Sequence, residues 1–259
     1  MNQTLFEKLW QSHQIKALGN REYLINIDRI FLHERTGSIA LLSLAQSGRQ
    51  LASPQNVFCT MDHIVSTRKG RGDKTEMPGG EKFISATRQA ATEAGIHLFD
   101  INHPRQGIVH VISPELGIAQ PGITLVCPDS HTCTLGGLGA LAWGIGSTAA
   151  EHAMATNTLR VVKPRTMRIH CHGQLAAGVS AKDLIIHIIG QLGTAAGSGY
   201  AVEFAGAAIR ALDIESRLTL CNMAVELSAF TGLIAPDDKT VDYLFGKLHA
   251  PKGEAWAQA

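Results

Sequence analysis

Long hydrophobic runs, basic clusters and a secretion signal are all missing from the sequence, and each absence excludes a class of protein. No stretch of about eighteen apolar residues occurs, so we expect no transmembrane helix. The 23 lysines and arginines are balanced by 22 aspartates and glutamates, which leaves no basic surface of the kind that neutralises nucleic-acid phosphates. The first residues lack the basic start and apolar core of a signal peptide. We therefore expect neither a membrane nor a nucleic acid as partner.

The cysteines form no disulfide or zinc pattern. The five of them are scattered and odd in number, which favours free thiols in a reducing cytoplasm over a disulfide framework. Cys-x2-Cys, His-Glu-x2-His, a Walker loop and a convincing dinucleotide fingerprint are all missing. Cys127, His131 and Cys133 nevertheless have the chemistry of metal ligands. A cluster-free hydrolase or lyase with zinc at His63, His110 and His131 therefore stays open as an alternative.

The order of the predicted elements indicates an α/β fold. With 45% hydrophobic and 17% charged residues, the 259-residue chain has the composition of an ordinary globular protein. Predicted strands alternate with predicted helices along its length, and no internal repeat or linker is present. A strand is predicted at 23–28 and a helix at 38–46. The longest predicted helix covers 138–159, and further helices are predicted at 181–192, 202–213 and 217–231.

Residues 122–137 are the stretch most typical of an active site. A β-branched run is followed by a bank of polar side chains, Asp129-Ser130-His131, and then by glycines that we expect to open a helix. Side chains at the carboxyl end of a buried strand face a crevice outside the sheet, which favours a catalytic site here. The alternative interpretation is a simple turn, because proline, aspartate, serine and glycine all favour turns.

Two further segments repeat this combination of strand and histidine. The predicted strand at 57–60 delivers Asp62-His63 at its carboxyl end, and His110 lies in an apolar run at 107–112 that we predict to be a strand. A carboxylate beside a histidine suits general acid–base catalysis, because it holds the imidazole in one tautomer and raises its basicity. A single histidine in an apolar strand is more often a core residue, but three near one pole of a sheet are harder to dismiss.

The predicted helix at 217–231 carries a second polar pair. Asn222 and Glu226 are spaced i, i+4 and would share a helix face. Their neighbours are apolar, so this face is either a solvated polar stripe or is turned into a cleft where Glu226 pairs with a histidine.

Motifs along nearly the whole chain resemble one known family. These motifs are Thr4-Leu5-Phe6-Glu7-Lys8-Leu9, Thr60-Met61-Asp62-His63, Asn102-His103-Pro104-Arg105-Gln106-Gly107-Ile108-Val109-His110, Asp129-Ser130-His131-Thr132, Gly144-Ile145-Gly146, Cys221-Asn222-Met223 and Leu248-His249-Ala250-Pro251-Lys252-Gly253. In this order they resemble the large-subunit family of the 3-isopropylmalate dehydratases, within the aconitase superfamily. The resemblance implies α/β/α layers with a mixed sheet.

The resemblance also implies a reaction and a set of site residues. The family interconverts 2- and 3-isopropylmalate in leucine biosynthesis by dehydration and rehydration, with a [4Fe-4S] cluster as Lewis acid. By resemblance, Asp62 and His63 would assist departure of the hydroxyl group. Asp129 would support His110, and Glu226 would support His131. Ser130 and Asn222 would line the pocket.

The resemblance covers roughly the first half of a family large subunit. The three cysteines that bind the cluster in the family would lie beyond Ala259, so none of the five cysteines here is expected to be a ligand. We expect a heterodimer with a small subunit, a hydroxy-dicarboxylate as substrate, and an inactive chain when it is isolated. The alternatives are a non-catalytic binding or assembly module of the same family and a hydro-lyase acting on homoaconitate or methylmalate.

Overall fold

Strands and helices alternate along the chain, as the α/β prediction requires. The computed structural model describes residues 3–258. The strands are β1 (Gln14–Gly19), β2 (Glu22–Asn26), β3 (Arg29–His33), β4 (Val57–Thr60), β5 (His97–Phe99), β6 (Thr124–Cys127), β7 (Leu141–Gly144), β8 (Thr158–Val162), β9 (Arg165–His170), β10 (Tyr200–Ala205) and β11 (Thr231–Leu233). The helices are α1 (Leu5–His13), α2 (Glu34–Gln46), α3 (Gly80–Glu93), α4 (Val109–Glu115), α5 (Ser147–Thr156), α6 (Ala181–Leu192), α7 (Ala207–Ala211), α8 (Ile214–Asn222), α9 (Asp238–Leu244) and α10 (Glu254–Gln258). Short 3₁₀ helices cover Pro54–Asn56, Ser130–Leu138 and Met223–Leu227.

A five-stranded sheet forms the centre, in the order β5-β4-β3-β6-β7. All its neighbouring strands are parallel. β4 and β6 are buried along their whole length, as expected for apolar strands that are covered on both faces. The chain adds strands on one side of β3 and then returns to add β6 on the other. This reversal opens a crevice between the carboxyl ends of β3 and β6, which is where ligands bind in open α/β sheets.

Helices cover both faces of this sheet. Successive side chains of a strand point to opposite faces. Ile30 and Leu32 therefore enter one core with α2, α3 and α5, while Phe31 enters a second core with α4, α8 and α9. The predicted α/β/α layers are confirmed. Two smaller sheets flank the central one, an antiparallel sheet β1-β2-β8 and a parallel sheet β11-β10-β9.

The strand predicted around His110 is wrong, because this segment forms helix α4. The backbone N–H of Val109 donates to the carboxylate of Asp62 at 2.8 Å, so the chain is held by a side chain here and not by a neighbouring strand. A short apolar run has no periodicity that separates a buried strand from a buried helix. His110 accordingly enters the site from the first turn of a helix.

The long helix predicted at 138–159 is also wrong. The segment contains strand β7, helix α5 and part of strand β8. Gly144 ends β7 where the backbone of Asp129 lies so close that a side chain would collide with it. The preceding glycines belong to the 3₁₀ helix Ser130–Leu138 and do not open an α-helix. The small residues of this segment therefore serve close packing between layers.

The two predicted helices after residue 200 are correct only in part. The first, at 202–213, divides into strand β10 and helix α7, because Val202 and Phe204 are buried strand residues in a third core. The second, at 217–231, ends as an α-helix at Asn222 and continues as a 3₁₀ helix that carries Glu226. The α-helical spacing from which we paired these two residues is thus interrupted between them.

Within residues 3–258, the helices are all too short or too polar to cross a membrane.

Candidate active site

The polar residues selected from the sequence meet at the crevice between β3 and β6. β4 ends at Thr60 and is followed by Asp62 and His63, and β6 ends at Cys127 and is followed by Asp129. Because the strands are parallel, their carboxyl ends lie at the same edge of the sheet. Helix α4 brings His110 to this edge. The site is therefore assembled by the sheet topology from segments that are distant in sequence.

His63 is held between two carboxylates. Its Nδ1 lies 2.6 Å from Oδ1 of Asp62, and its Nε2 lies 3.0 Å from Oδ2 of Asp129. The other oxygen of Asp62 accepts the N–H of Val109 at 2.8 Å. Both ring nitrogens of His63 therefore face an anionic acceptor, an arrangement that requires a proton on each of them.

Asp129 contacts all three histidines of the site. Its Oδ1 accepts the backbone N–H of His131 at 2.7 Å. The same oxygen lies 3.4 Å from Nε2 of His110 and 3.7 Å from Nδ1 of His131. With the bond to His63, one carboxylate faces three imidazoles. The structure thus brings together the three histidines that the sequence suggested.

The electrostatics of the site favour a protonated His63. Burial lowers the pKa of His63, but the hydrogen bonds to Asp129 and Asp62 outweigh it and raise the pKa to about 10. Burial raises the pKa of Asp129, yet its contacts with His110 and His63 hold that pKa well below the ordinary value. At neutral pH the pair is an imidazolium beside a carboxylate. His63 therefore carries a proton at neutral pH that a general acid could donate.

His110 has unused hydrogen-bonding capacity. Its side chain is only 8% exposed, and neither ring nitrogen makes a hydrogen bond with the described residues. Its contact with Asp129 is within ion-pair distance but is not a formed hydrogen bond. Buried polar groups are normally satisfied, so an unsatisfied imidazole at a crevice indicates a place where a ligand binds.

His131 and Glu226 lie at the open side of the site. His131 Nε2 is 3.7 Å from Oε1 of Glu226, and these side chains are 41% and 56% exposed. Ser130 Oγ lies 3.2 Å from Nδ1 of His131. The contact between His131 and Glu226 is long and exposed to solvent, in contrast to the more enclosed pair of His63 and Asp129.

Asn222 lies near the site but does not contact the three imidazole rings. Its side-chain amide donates to Oγ1 of Thr134 at 2.9 Å. It lines a groove of about 670 Å³ between α4 and α8, together with His110 and Glu226. Asn222 therefore belongs to the wall of a groove that His110 also lines.

Sequence reasoning missed two residues of the site, His33 and Glu34. The ring of His33 stacks on that of His63, with centroids 3.6 Å apart and planes 12° from parallel. Glu34 accepts backbone hydrogen bonds from the turn that carries His63. The signal was present, because both residues directly follow the apolar run Ile30-Phe31-Leu32. Our predicted elements left residues 29–37 unassigned, so this strand end was not considered.

The geometry does not favour the zinc alternative. His63, His110 and His131 do not form a set with metal-ligand distances, and among residues 3–258 only His33, Glu34, Asp62 and His63 do. In that set both oxygens of Glu34 accept backbone N–H groups, and both oxygens of Asp62 are hydrogen-bonded. Its carboxylates already hold protein donors, which suits a proton relay better than ion ligation.

The cysteines of this chain do not fit the iron–sulfur cluster that the resemblance implies. Thiolates bind such a cluster. Burial raises the pKa of all five thiols, that of Cys133 to about 12, so they are held as neutral thiols. The one ligand-like group within the described part of the chain contains no cysteine.

Comparison with known proteins identifies the family of the chain. The model of the aconitase family (aconitate hydratase) matches residues 7–259. The 3-isopropylmalate dehydratase large subunit 1 of Bradyrhizobium diazoefficiens is 48% identical over 256 residues, which are 99% of this chain and 53% of that protein. The chain thus spans about half the length of the curated relative that it matches. It belongs to the aconitase family.

Proposed function

We propose that this chain carries the acid–base part of the active site of a 3-isopropylmalate dehydratase large subunit. The enzyme would be a hydro-lyase that interconverts 2- and 3-isopropylmalate by dehydration and rehydration, a step of leucine biosynthesis. The observation that carries the proposal is His63, an imidazolium held between Asp62 and Asp129 at the crevice. The name of the 48% identical relative supports the choice of substrate.

In dehydration, His63 supplies the proton that the leaving hydroxyl group needs. The carbon–oxygen bond breaks with its electron pair on oxygen, and the proton from Nε2 of His63 converts that oxygen to water. A base removes the proton of the neighbouring carbon, and the electrons of this carbon–hydrogen bond form the double bond. Rehydration adds water across the same double bond in the opposite sense. By resemblance to the family, this carbon base would be a serine from outside the described residues.

The remaining residues orient the acid and the substrate. Asp62 holds Nδ1 of His63 and fixes which nitrogen faces the crevice. Asp129 stabilises the imidazolium and keeps His110 close to the same point. His110, whose buried ring nitrogens make no hydrogen bond with the described residues, would turn one of them to a substrate carboxylate, and His131, with Glu226 and Ser130, lines the open side. The groove that Asn222 lines receives the rest of the substrate.

The cofactor, the partner and the location are parts of the same proposal. A [4Fe-4S] cluster would act as Lewis acid on the hydroxyl and carboxylate groups, with ligands from outside the described residues. A small subunit would complete the crevice as the second half of a heterodimer. All five cysteines are free thiols, which agrees with a cytoplasmic location.

The test is a substitution at the natural locus, where every partner and cofactor is present. His63→Gln keeps a polar side chain of similar size but has no titratable proton to donate. General acid catalysis contributes roughly 10²–10⁴-fold to rate, so we expect isopropylmaleate formation in extracts to fall by at least about 100-fold. We also expect growth to require leucine.

The control is His187→Gln, because His187 is exposed on α6 and is not among the residues that line the groove. Homoaconitate and methylmalate are assayed in the same extracts. Wild-type turnover of one of these acids in place of isopropylmalate would assign the chain to a related hydro-lyase. Full isopropylmalate activity in the His63→Gln strain would contradict the proposal.

A further inference from the structure

A fully buried carboxylate lies beneath the turn that carries His63. Glu34 is 0% exposed. Its Oε2 accepts the backbone N–H of Asp62 at 3.0 Å. Its Oε1 accepts those of His63 at 2.7 Å and Ile64 at 2.5 Å. One side chain therefore binds three consecutive amides of the proposed catalytic turn.

This arrangement explains how the charge of Glu34 is tolerated in the interior. A buried carboxylate is costly unless hydrogen bonds replace its water, and bonds from N–H groups to an ionised oxygen are about twice as strong as neutral ones. Glu34 is also the first residue of α2, where the helix dipole favours negative charge. The fold can therefore hold this charge only while the N–H groups of the Asp62–Ile64 turn point at the carboxylate.

His33, the preceding residue, holds the side chain of the same histidine. Its ring lies parallel to that of His63 at a centroid distance of 3.6 Å. Its Nε2 lies 3.0 Å from the carbonyl oxygen of Pro128, which must accept, so Nε2 carries the proton. Burial and the charge of His63 lower the pKa of His33. A neutral ring thus stacks on the imidazolium without charge repulsion.

We propose that the dipeptide His33-Glu34 is a positioning element for His63. Glu34 fixes the backbone of the turn, and His33 fixes the plane of the ring, so that Nε2 of His63 points at Asp129 and the crevice. Both act through His63 and neither is required to touch substrate. The importance of this element for catalysis rests on the proposed function, but the positioning itself can be measured without turnover.

The first test is the ionisation of His63 in protein labelled with ¹⁵N-histidine. The ring of His63 faces two charged groups, Asp62 and Asp129, and the neutral ring of His33 stacks on it. In the wild type we expect its ring nitrogens to stay protonated up to about pH 10. Glu34→Gln presents an NH₂ group to amides that need an acceptor. We expect the turn to loosen and the titration midpoint of His63 to fall by about one pH unit or more.

Two matched variants separate positioning from general damage. Glu203 also accepts a distant backbone N–H, that of Phe6 at 2.7 Å, so Glu203→Gln removes a similar bond far from the site. We expect it to leave the His63 midpoint unchanged. His33→Leu removes the stacked ring while keeping bulk, and it should lower the order of the His63 ring with a smaller effect on the amides. Glu34→Asp keeps the charge and should restore part of the midpoint.

A measurement on the wild type covers the case in which the Glu34 variants do not fold. The amides of Asp62, His63 and Ile64 should exchange with deuterium only through global unfolding. Fast exchange of these amides, or an unchanged His63 midpoint in folded Glu34→Gln protein, would overturn the inference. Wild-type activity of His63→Gln together with the expected midpoint shifts would refute the proposed function and leave the positioning intact.

Discussion

At the scale of residues, Asp129 determines the charge of the site. It is the only carboxylate in the described structure that contacts His63, His110 and His131 together. Most of its contacts are with imidazole side chains, and one uses the backbone N–H of His131. A substitution that keeps its shape but removes its charge therefore tests the electrostatic description directly.

We predict that Asp129→Asn flattens the alkaline pH dependence of stability. The folded-state pKa of His63 is raised from 6.5 to about 10, so its contribution to the free energy of unfolding is fully present below about pH 6.5. That contribution is lost as the pH rises towards 10. In the variant, Asp62 alone supports the imidazolium, and the loss should be smaller. Urea unfolding at pH 7, 8 and 9 measures the two slopes.

The lowered pKa of Asp129 affects the free energy of unfolding at acidic pH. Its contribution is present above the ordinary aspartate pKa and is lost as the pH falls through its lower folded value. Asn222→Ala, whose side-chain contact is with Thr134, serves as the control and should keep the wild-type slope between pH 7 and 9. Equal slopes in wild type and Asp129→Asn would show that the carboxylate does not hold the proton on His63.

The residues of the site could be predicted from the sequence where chemistry and strand ends coincide. Asp62, His63 and Asp129 were selected because each follows a short apolar strand, and the sheet places them together. Glu34 was not selected, because the strand before it was not predicted, and its contacts are with three N–H groups from another strand end. No local pattern encodes such a contact, which is fixed by the strand order alone.

At the scale of elements, the sequence predicted those with a clear period or cap. Helix α6 was predicted with its observed bounds, Ala181–Leu192, and Ser180 caps it through a capping box with Asp183. The failures occurred where small or short apolar runs allow either structure. β7 and β10 were hidden in predicted helices, because strand residues that are buried on both faces lose the alternation that marks a strand.

The contact between the 3₁₀ helix Ser130–Leu138 and β11 depends on a missing side chain. A Cβ atom at Gly136 would overlap the carbonyl oxygen of Gly232. We predict that Gly136→Ala lowers the free energy of unfolding by about 3 kcal/mol, because backbone must move to make room. Equilibrium urea denaturation measures the change.

A second glycine provides the matched comparison for this prediction. Gly190 lies on α6 and would meet no atom within 4 Å if it carried a Cβ. Gly190→Ala should therefore be neutral or should stabilise the protein by about 0.5–1 kcal/mol, because alanine favours a helix more than glycine. Similar effects of the two substitutions would show that the close approach at Gly136 is not a packing constraint.

At the scale of the whole molecule, the site can form only after the central sheet has closed. His33 and Pro128 are 95 residues apart, and His63 and Asp129 are 66 residues apart. Contacts of such long range form slowly, because the chain between the two residues must be ordered before the contact can stabilise the fold. The helices have short-range contacts and can form earlier.

We therefore predict two phases when the protein refolds from urea at pH 8. The circular dichroism of the helices should recover first, and protons should be taken up from the medium later, when His63 meets its carboxylates. An indicator dye follows this uptake, and the difference between wild type and His63→Gln isolates the proton of His63. Uptake that precedes the helical signal would contradict this order.

The position of His63 between two carboxylates determines when this side chain takes up its proton. At neutral pH an unfolded chain holds this imidazole largely without its extra proton, whereas the folded chain keeps it. Formation of the sheet thus protonates His63 from bulk water before any substrate binds. Under the proposed function, folding itself would supply the proton that His63 gives to the leaving hydroxyl group, and His63 would have to take up a new proton through the crevice after each turnover.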